Sequence, residues 1–225
     1  MPKVEDILSS AREWKKLNER QARETLREVF LVDRQYIAKK FTLPVTTKRF
    51  RRPWITEDQG LARLNGRGAP RTYGYAETRE NGHRVFWLFK QYLDGETLME
   101  FQEKDIEPVA LLMACIHGQR IITDDANVSN FLRRPDGTFA FLDLGRARVF
   151  RFRSPWLYLN IGCELAKLRR EGFRWNSTQW ISFKKHYFSV LSCAWLSRRI
   201  IEWSCFTSTC IRMARKFMQG KSPWN

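Results

Sequence analysis

Apolar residues recur at helical spacing in the charged opening of the chain, at Ile7, Leu8, Ala11, Trp14, Leu17 and Ala22, and this predicts an amphipathic first helix over 3–27. The pattern then changes period. REVFLV and QYIAKKF are β-branched and aromatic runs parted by Asp33-Arg34, which predicts a hairpin whose second strand carries Ile37, Lys39 and Phe41 on one face. ITEDQGLARLNGRG reads as a helix with Thr56 as N-cap and Gly66 or Gly68 as its stop. TYGYAETRENGHRVFWLFKQYL reads as two strands around Asn81-Gly82. Further along, EPVALLMACIHGQ predicts a helix and Pro135-Asp136-Gly137 a tight turn between two short strands. From Ser154 onward, Trp156, Leu159, Ile161, Leu165 and Leu168, then the run from Trp180 to Met218, fall at helical intervals.

These elements predict an α+β fold with a small β-rich lobe over residues 1–92, containing the leading helix and one internal helix, and a mostly helical lobe over 93–225. The chain has 225 residues and 43% hydrophobic content, enough to bury a core. Its formal net charge of +16 adds an expectation of anionic partners: nucleic acid, an acidic membrane face, nucleotide phosphates or a phosphorylated substrate. The five cysteines form no CxxC or Cys/His ligand spacing, so no zinc site is expected and a reducing, cytoplasmic compartment is. The N-terminal residues lack the apolar core of a signal peptide, and no window reaches the roughly 18 apolar residues of a spanning helix.

The candidate chemistry lies in TDDANVSNFLRRPDGTFAFLDLGRAR, where Asp125 precedes Asn130 by five residues and Asp143 follows it by thirteen. Asn and Asp form turns readily, and Asp124 competes with Asp125 for any role in this loop. All three flank apolar runs, however, and phosphoryl transfer asks for these groups: a carboxylate aimed at the incoming hydroxyl, and oxygens that share a magnesium ion with phosphates. His117, at the end of an apolar helix, reads as a packed or capping residue. The tryptophans at 156, 175, 180, 195 and 203 read as core or interface.

The run D-A-N-V-S-N, thirteen residues, then D-L-G resembles the catalytic loop and metal-binding turn of the protein-kinase-like superfamily, D-x-x-x-x-N followed by D-F-G. Tyr36-Ile37-Ala38-Lys39 resembles its V-A-I-K strand, and Glu57 lies eighteen residues further, in the predicted helix. The resemblance implies a bilobal kinase-like fold. It implies Lys39 on the ATP phosphates and paired with Glu57, Asp125 as the catalytic aspartate that orients the acceptor hydroxyl or accepts its proton, Asn130 and Asp143 as Mg²⁺ ligands, and Gln91, Tyr92 and Leu93 beside the adenine. Lys40 stays open as an alternative to Lys39, and Glu57, like Asp58, also suits the positive end of a helix.

Within the superfamily, YIAKKFTLPVTTKRF and IHGQRIITDDANVSNFLRRPDGTFAFLDLGRAR are similar to bacterial lipopolysaccharide core heptose and Kdo kinases, over about residues 28–170. That implies phosphorylation of an inner-core sugar, heptose before Kdo, by a peripheral protein at the cytoplasmic face of the inner membrane. The expected partners are the core glycolipid and the anionic membrane surface, without nucleic acid. The pattern departs from ordinary protein kinases in four places. EVFLVDRQYIAK has no G-x-G-x-x-G, Thr123-Asp124 stand where His-Arg is usual, Asn127 replaces a lysine, and no A-P-E segment follows Gly145. These departures keep two rivals in view: a kinase-like enzyme acting on another small-molecule or protein hydroxyl, and a noncatalytic pseudokinase or basic nucleic-acid-binding module.

Overall fold

The computed structural model describes residues 2–22, 25–46, 52–172 and 177–218. Short helix α1 (Val4–Ser10) is followed by strands β1 (Trp14–Ala22), β2 (Thr25–Val32) and β3 (Tyr36–Pro44), helix α2 (Pro53–Leu64), and strands β4 (Thr72–Glu80) and β5 (His83–Gln91). The five strands form one antiparallel sheet in the order β1-β2-β3-β5-β4. Beyond it come β6 (Glu96–Thr97), α3 (Ile106–Gly118), β7 (Ile121–Ile122), β8 (Phe131–Arg133), β9 (Phe139–Phe141) and β10 (Arg148–Val149), then α4 (Pro155–Gly172), α5 (Ser177–Val190) and α6 (Trp195–Met218). The fold is α+β, with an antiparallel sheet in the N-terminal part and helices in the C-terminal part.

The helix expected over 3–27 is not formed. It is replaced by α1 and an edge strand, because Trp14 is drawn into an aromatic cluster with Phe30, Trp87 and Phe89, 5.4–6.2 Å away, and the strand ladder on β2 follows from there. Long-range pairing has overridden a local period. The hairpin turns follow their residues: Asp33 and Arg34 both take positive φ (48° and 55°), as do Asn81 and Gly82 (47° and 73°), the backbone that a two-residue hairpin requires. Helix α2 starts earlier than expected, with Pro53 in its first turn. Thr56 lies inside the helix, its hydroxyl directed to the Arg52 carbonyl, and is not the N-cap. The helix ends at Leu64, with Asn65 in the left-handed conformation at the C-cap.

The two faces of the sheet bury different cores. Ala38, Val85, Trp87 and Phe89 point to one side, where α1 covers them with Val4 and Ile7. Phe41, Leu43, Phe86 and Leu88 point to the other and pack on Trp54 of α2, which stacks on Phe86 at 4.0 Å. The C-terminal end of α2 leaves this sheet core: Leu61 and Leu64 join the large helical core with Met113, Ile116, Phe131, Phe141, Leu144 and Leu165. Gly60 lies against Leu144, where an added Cβ would come within 3.0 Å of the leucine side chain. Helix α2 therefore reaches from the inner sheet face to the segment after β9, and the candidate residues meet there. Of the tryptophans expected in core or interface, Trp180 is buried, Trp156, Trp195 and Trp203 are exposed, and Trp175 lies outside the described residues. The basic stretch after β3 also falls largely outside them, over 47–51.

Candidate functional site

Strand register decides which lysine of the Lys39-Lys40 pair faces inward. Lys39 pairs with Leu88 and so shares the inner face with Phe41 and Lys90. Lys40 turns to the other face, over the Trp87 ring, and bonds Glu80 at 2.6 Å. Lys39 is 3% exposed, and its ammonium donates to both oxygens of Glu57 at 2.6 Å and to Asp143 Oδ1 at 3.1 Å. Glu57, one of two adjacent acids, points inward because it lies on the α2 face that carries Trp54, Gly60 and Leu61; Asp58 instead accepts a bond from Thr72 at 2.6 Å.

Two further cations, neither picked out in the sequence, complete the cluster. Lys90 of β5 is 4% exposed and donates to Glu57 Oε1 at 2.8 Å and to the Leu142 carbonyl. Arg27 of β2 donates to Asp143 Oδ2 at 3.0 Å. One signal for Lys90 was present in the sequence. It follows Phe86 and Leu88 at period two on an apolar strand, so it had to be a buried charge in need of a partner. Burial pushes Lys39 down to about 8, against the pull of Glu57. Burial also disfavours the Asp143 carboxylate, but Lys39, Arg27 and Lys90 together outweigh it and hold its carboxyl well below the usual range.

Asn130 and Asp143 sit at the same end of the β8–β9 hairpin. Phe131 pairs with Phe141, and the Leu142 N–H donates to the Asn130 carbonyl at 2.8 Å. The Asn130 amide nitrogen is used on the Asp125 carbonyl at 2.8 Å, and its side-chain oxygen enters no hydrogen bond among the described residues. Asp143 is fixed by its own turn, where the Gly145 N–H donates to Oδ1 at 2.9 Å.

The adjacent acids Asp124 and Asp125 also separate. Asp124, with φ 56°, turns onto Arg148 in a two-point ion pair at 2.6 and 2.7 Å. Asp125 accepts Asn127 at 2.6 Å and Lys167 of α4 at 3.3 Å on Oδ1, with Arg146 at 3.7 Å, and its Oδ2 accepts nothing among the described residues. The loop is anchored from beneath by Glu164 of α4, which takes the Thr123 N–H at 3.0 Å and the Thr123 hydroxyl. Glu164 also meets His117 Nε2 at 2.9 Å, while His117 Nδ1 meets the Tyr187 hydroxyl at 2.7 Å. His117 is therefore a buried packing residue of this anchor. Glu164 and Lys167, three apart on one helix face, escaped sequence reasoning because nothing local ties α4 to the loop.

Gln91, Tyr92 and Leu93 follow β5. Gln91 and Tyr92 commit their N–H groups to the Arg71 and Gln35 carbonyls, both at 2.8 Å, so of the three only the Leu93 N–H stays outside the sheet ladder.

No family model matches the chain, and no curated protein does. Among solved structures it is similar to a high-resolution (2.2 Å) crystal structure of WbdD, with 16% sequence identity and a TM-score of 0.47, over 87% of this chain and 50% of that one. The chain thus spans about half the length of that protein.

Proposed function

We propose that the chain is a phosphotransferase of the protein-kinase-like type that moves the terminal phosphate of ATP onto an alcohol hydroxyl, and that the acceptor is a lipopolysaccharide inner-core sugar, heptose before Kdo. One observation carries the reading: residues far apart in the sequence, Lys39, Glu57 and Asp143, meet in one buried ion-pair cluster, while the same hairpin end holds Asn130 and, through it, Asp125. On this reading residues 1–92 and 93–225 are the two lobes, and the segment Gln91–Leu93 between them meets the adenine through Leu93.

The donor set suits magnesium. Mg²⁺ takes one or two carboxylates and completes its shell with water and phosphate oxygens. Asp143 and the uncommitted amide oxygen of Asn130 would hold it, and the described residues contain no group of three or more His, Cys, Asp or Glu able to form an all-protein cage. When bound, the ion neutralises charge on the phosphate oxygens. Lys39 binds the phosphates, its position fixed by Glu57, which Lys90 holds in turn. Asp125 orients the acceptor hydroxyl through Oδ2 and receives its proton, while Asn127 and Lys167 hold the other oxygen still.

The acceptor and the basic surface suit a peripheral protein at the cytoplasmic face of the inner membrane. Among the described residues no helix is long and apolar enough to cross a bilayer. Helix α6 exposes Trp195, Leu196, Trp203, Phe206 and Ile211 beside Arg199, Arg212 and Arg215, a combination that can settle among anionic headgroups. The test is transfer of labelled phosphate from ATP to purified core lipopolysaccharide lacking that phosphate, run beside a panel of other hydroxyl compounds. Labelled core is the expected result. Label on a different acceptor moves the substrate assignment, and no turnover together with salt-sensitive nucleic-acid binding overturns the reading.

A further inference from the structure

Arg27 is the one cation of the cluster that reaches solvent. Its side chain is 35% exposed, against 4% for Lys39 and 5% for Lys90. It stands two residues into β2, opposite Phe41 and on the same sheet face as Lys39, and its guanidinium lies 6.0 Å over the Phe41 ring. From there it covers Asp143 Oδ2, while Lys39 covers Oδ1. Three cations thus face two carboxylates, Glu57 and Asp143, and the site carries an excess of positive charge in partly buried surroundings. Such an excess is costly without an anion. The Arg27 Nε is also buried without an acceptor among the described residues, an orphan donor beside the open edge of the cluster.

We propose that Arg27 is a phosphate-binding residue that leaves Asp143 for the phosphates of the incoming nucleotide, freeing the carboxylate for the metal. The inference rests on the phosphotransferase reading. A cation cannot join Asp143 Oδ2 while the guanidinium holds it, and a displaced guanidinium keeps its planar fork of donors, which matches phosphate oxygens two at a time. Strands β1 and β2 contain no glycine, so a side chain stands at every position along them. A long basic side chain at the strand's entry reaches where backbone N–H groups cannot. The excess charge and the orphan Nε are then both satisfied by the same ligand, a chain of phosphates.

The experiment is calorimetry on the full chain and on Arg27→Gln, with Mg·ATP, adenosine and Mg²⁺ alone as titrants, and thermal melts to confirm folding. Arg27→Gln is expected to weaken Mg·ATP by roughly ten- to a hundredfold, as for a lost charge-assisted bond, to leave adenosine unchanged, and to tighten Mg²⁺ alone because Asp143 Oδ2 is released. A merely structural arginine does not produce opposite changes for nucleotide and metal. Equal loss for ATP and adenosine, or unchanged Mg·ATP affinity, overturns the assignment while leaving the enzyme reading intact. Wild-type protein that binds no nucleotide overturns that reading and the assignment with it. Should Arg27→Gln not fold, Arg27→Lys keeps the charge but not the fork. It is expected to bind adenosine normally and Mg·ATP several-fold more weakly, and wild-type Mg·ATP affinity in that variant counts against a phosphate contact by the fork.

Discussion

On the inner face of the sheet, Lys39, Lys90 and Arg27 are gathered around two carboxylates, whereas along α6 Arg199, Arg212 and Arg215 stand in solvent beside Trp195, Trp203 and Phe206. Both regions draw on the same stock of basic and aromatic residues. In the first the aromatics are buried, with Trp54 stacked on Phe86, and the charges are held at hydrogen-bond distance. In the second the aromatics face outward, and Arg198 and Arg199 share Glu202 at 3.4 and 3.7 Å, contacts that contribute little in water. The difference separates two uses of a large positive charge. A buried cation has one geometry and one set of partners, and changing either alters chemistry and stability. An exposed one acts collectively, through a field that salt weakens.

The sharpest break falls on the loop beside the buried cluster. On the proposed reading, Asp125→Asn is expected to lower transfer by about 10² to 10⁴ while Mg·ATP still binds, since the change removes the group assigned to the acceptor and leaves Lys39 and Asp143 untouched. Turnover near wild type would remove Asp125 from the chemistry.

Next in size is the buried pair itself. Glu57→Gln leaves Lys39 and Lys90 without their shared counter-charge, and breaking a buried ion pair costs about 3–5 kcal/mol. Denaturant unfolding should show a loss of that order. A loss near zero would mean that water reaches the cluster and that its burial is less complete than 3% exposure of Lys39 implies.

A smaller and signed effect comes from Lys39. Its folded value is lowered to about 8, mainly by burial, from an ordinary 10.5. Between these values the unfolded chain binds more protons than the folded one, so the cost of holding Lys39 charged is present below about pH 8 and is relieved as pH rises towards 10.5. On the proposed reading nucleotide binding runs the other way, because phosphates need the ammonium. Mg·ATP affinity should fall as pH rises through 8, and Lys39→Met should bind weakly with a flat profile over the same range. A wild-type profile parallel to that of Lys39→Met would take Lys39 off the phosphates.

The smallest effect is expected at α6. Exchanging Arg212 and Arg215 for Gln should weaken binding to anionic vesicles by about fivefold per residue, near 1 kcal/mol each, with no change in transfer to a small acceptor. Added salt should weaken wild-type vesicle binding in the same direction. Salt-insensitive binding that the substitutions leave unchanged would assign these arginines to an ordinary solvated surface.

How far the sequence could be read follows from the range of the forces involved. Asp33-Arg34 and Asn81-Gly82 announce their turns because the positive φ they adopt is a local property. The end of α2 is similarly local, although the left-handed residue that closes it is Asn65 and not the expected Gly66 or Gly68, and the choice between Lys39 and Lys40 waited on the strand register. Strand β1 was hidden because its pattern, Trp14 and Leu17 after Ile7 and Leu8, is equally helical until Trp14 meets Trp87 across the sheet. Arg27 and Lys167, unlike Lys90 with its place on an apolar strand, were hidden for another reason. In a chain with 40 Lys and Arg, a single basic residue carries no information until the fold puts a carboxylate beside it. Thr56 failed as a cap because Pro53, three residues earlier, starts the helix without one.

Binding and transfer by the proposed phosphotransferase can be measured in one sample. Wild-type protein and Asp125→Asn are titrated with ATP with and without Mg²⁺, then given labelled ATP and phosphate-free core lipopolysaccharide. Mg²⁺-dependent ATP binding is expected in both proteins, with label on the lipopolysaccharide in the wild type alone. ATP binding absent from both, or equal transfer by both, would contradict the phosphotransferase reading.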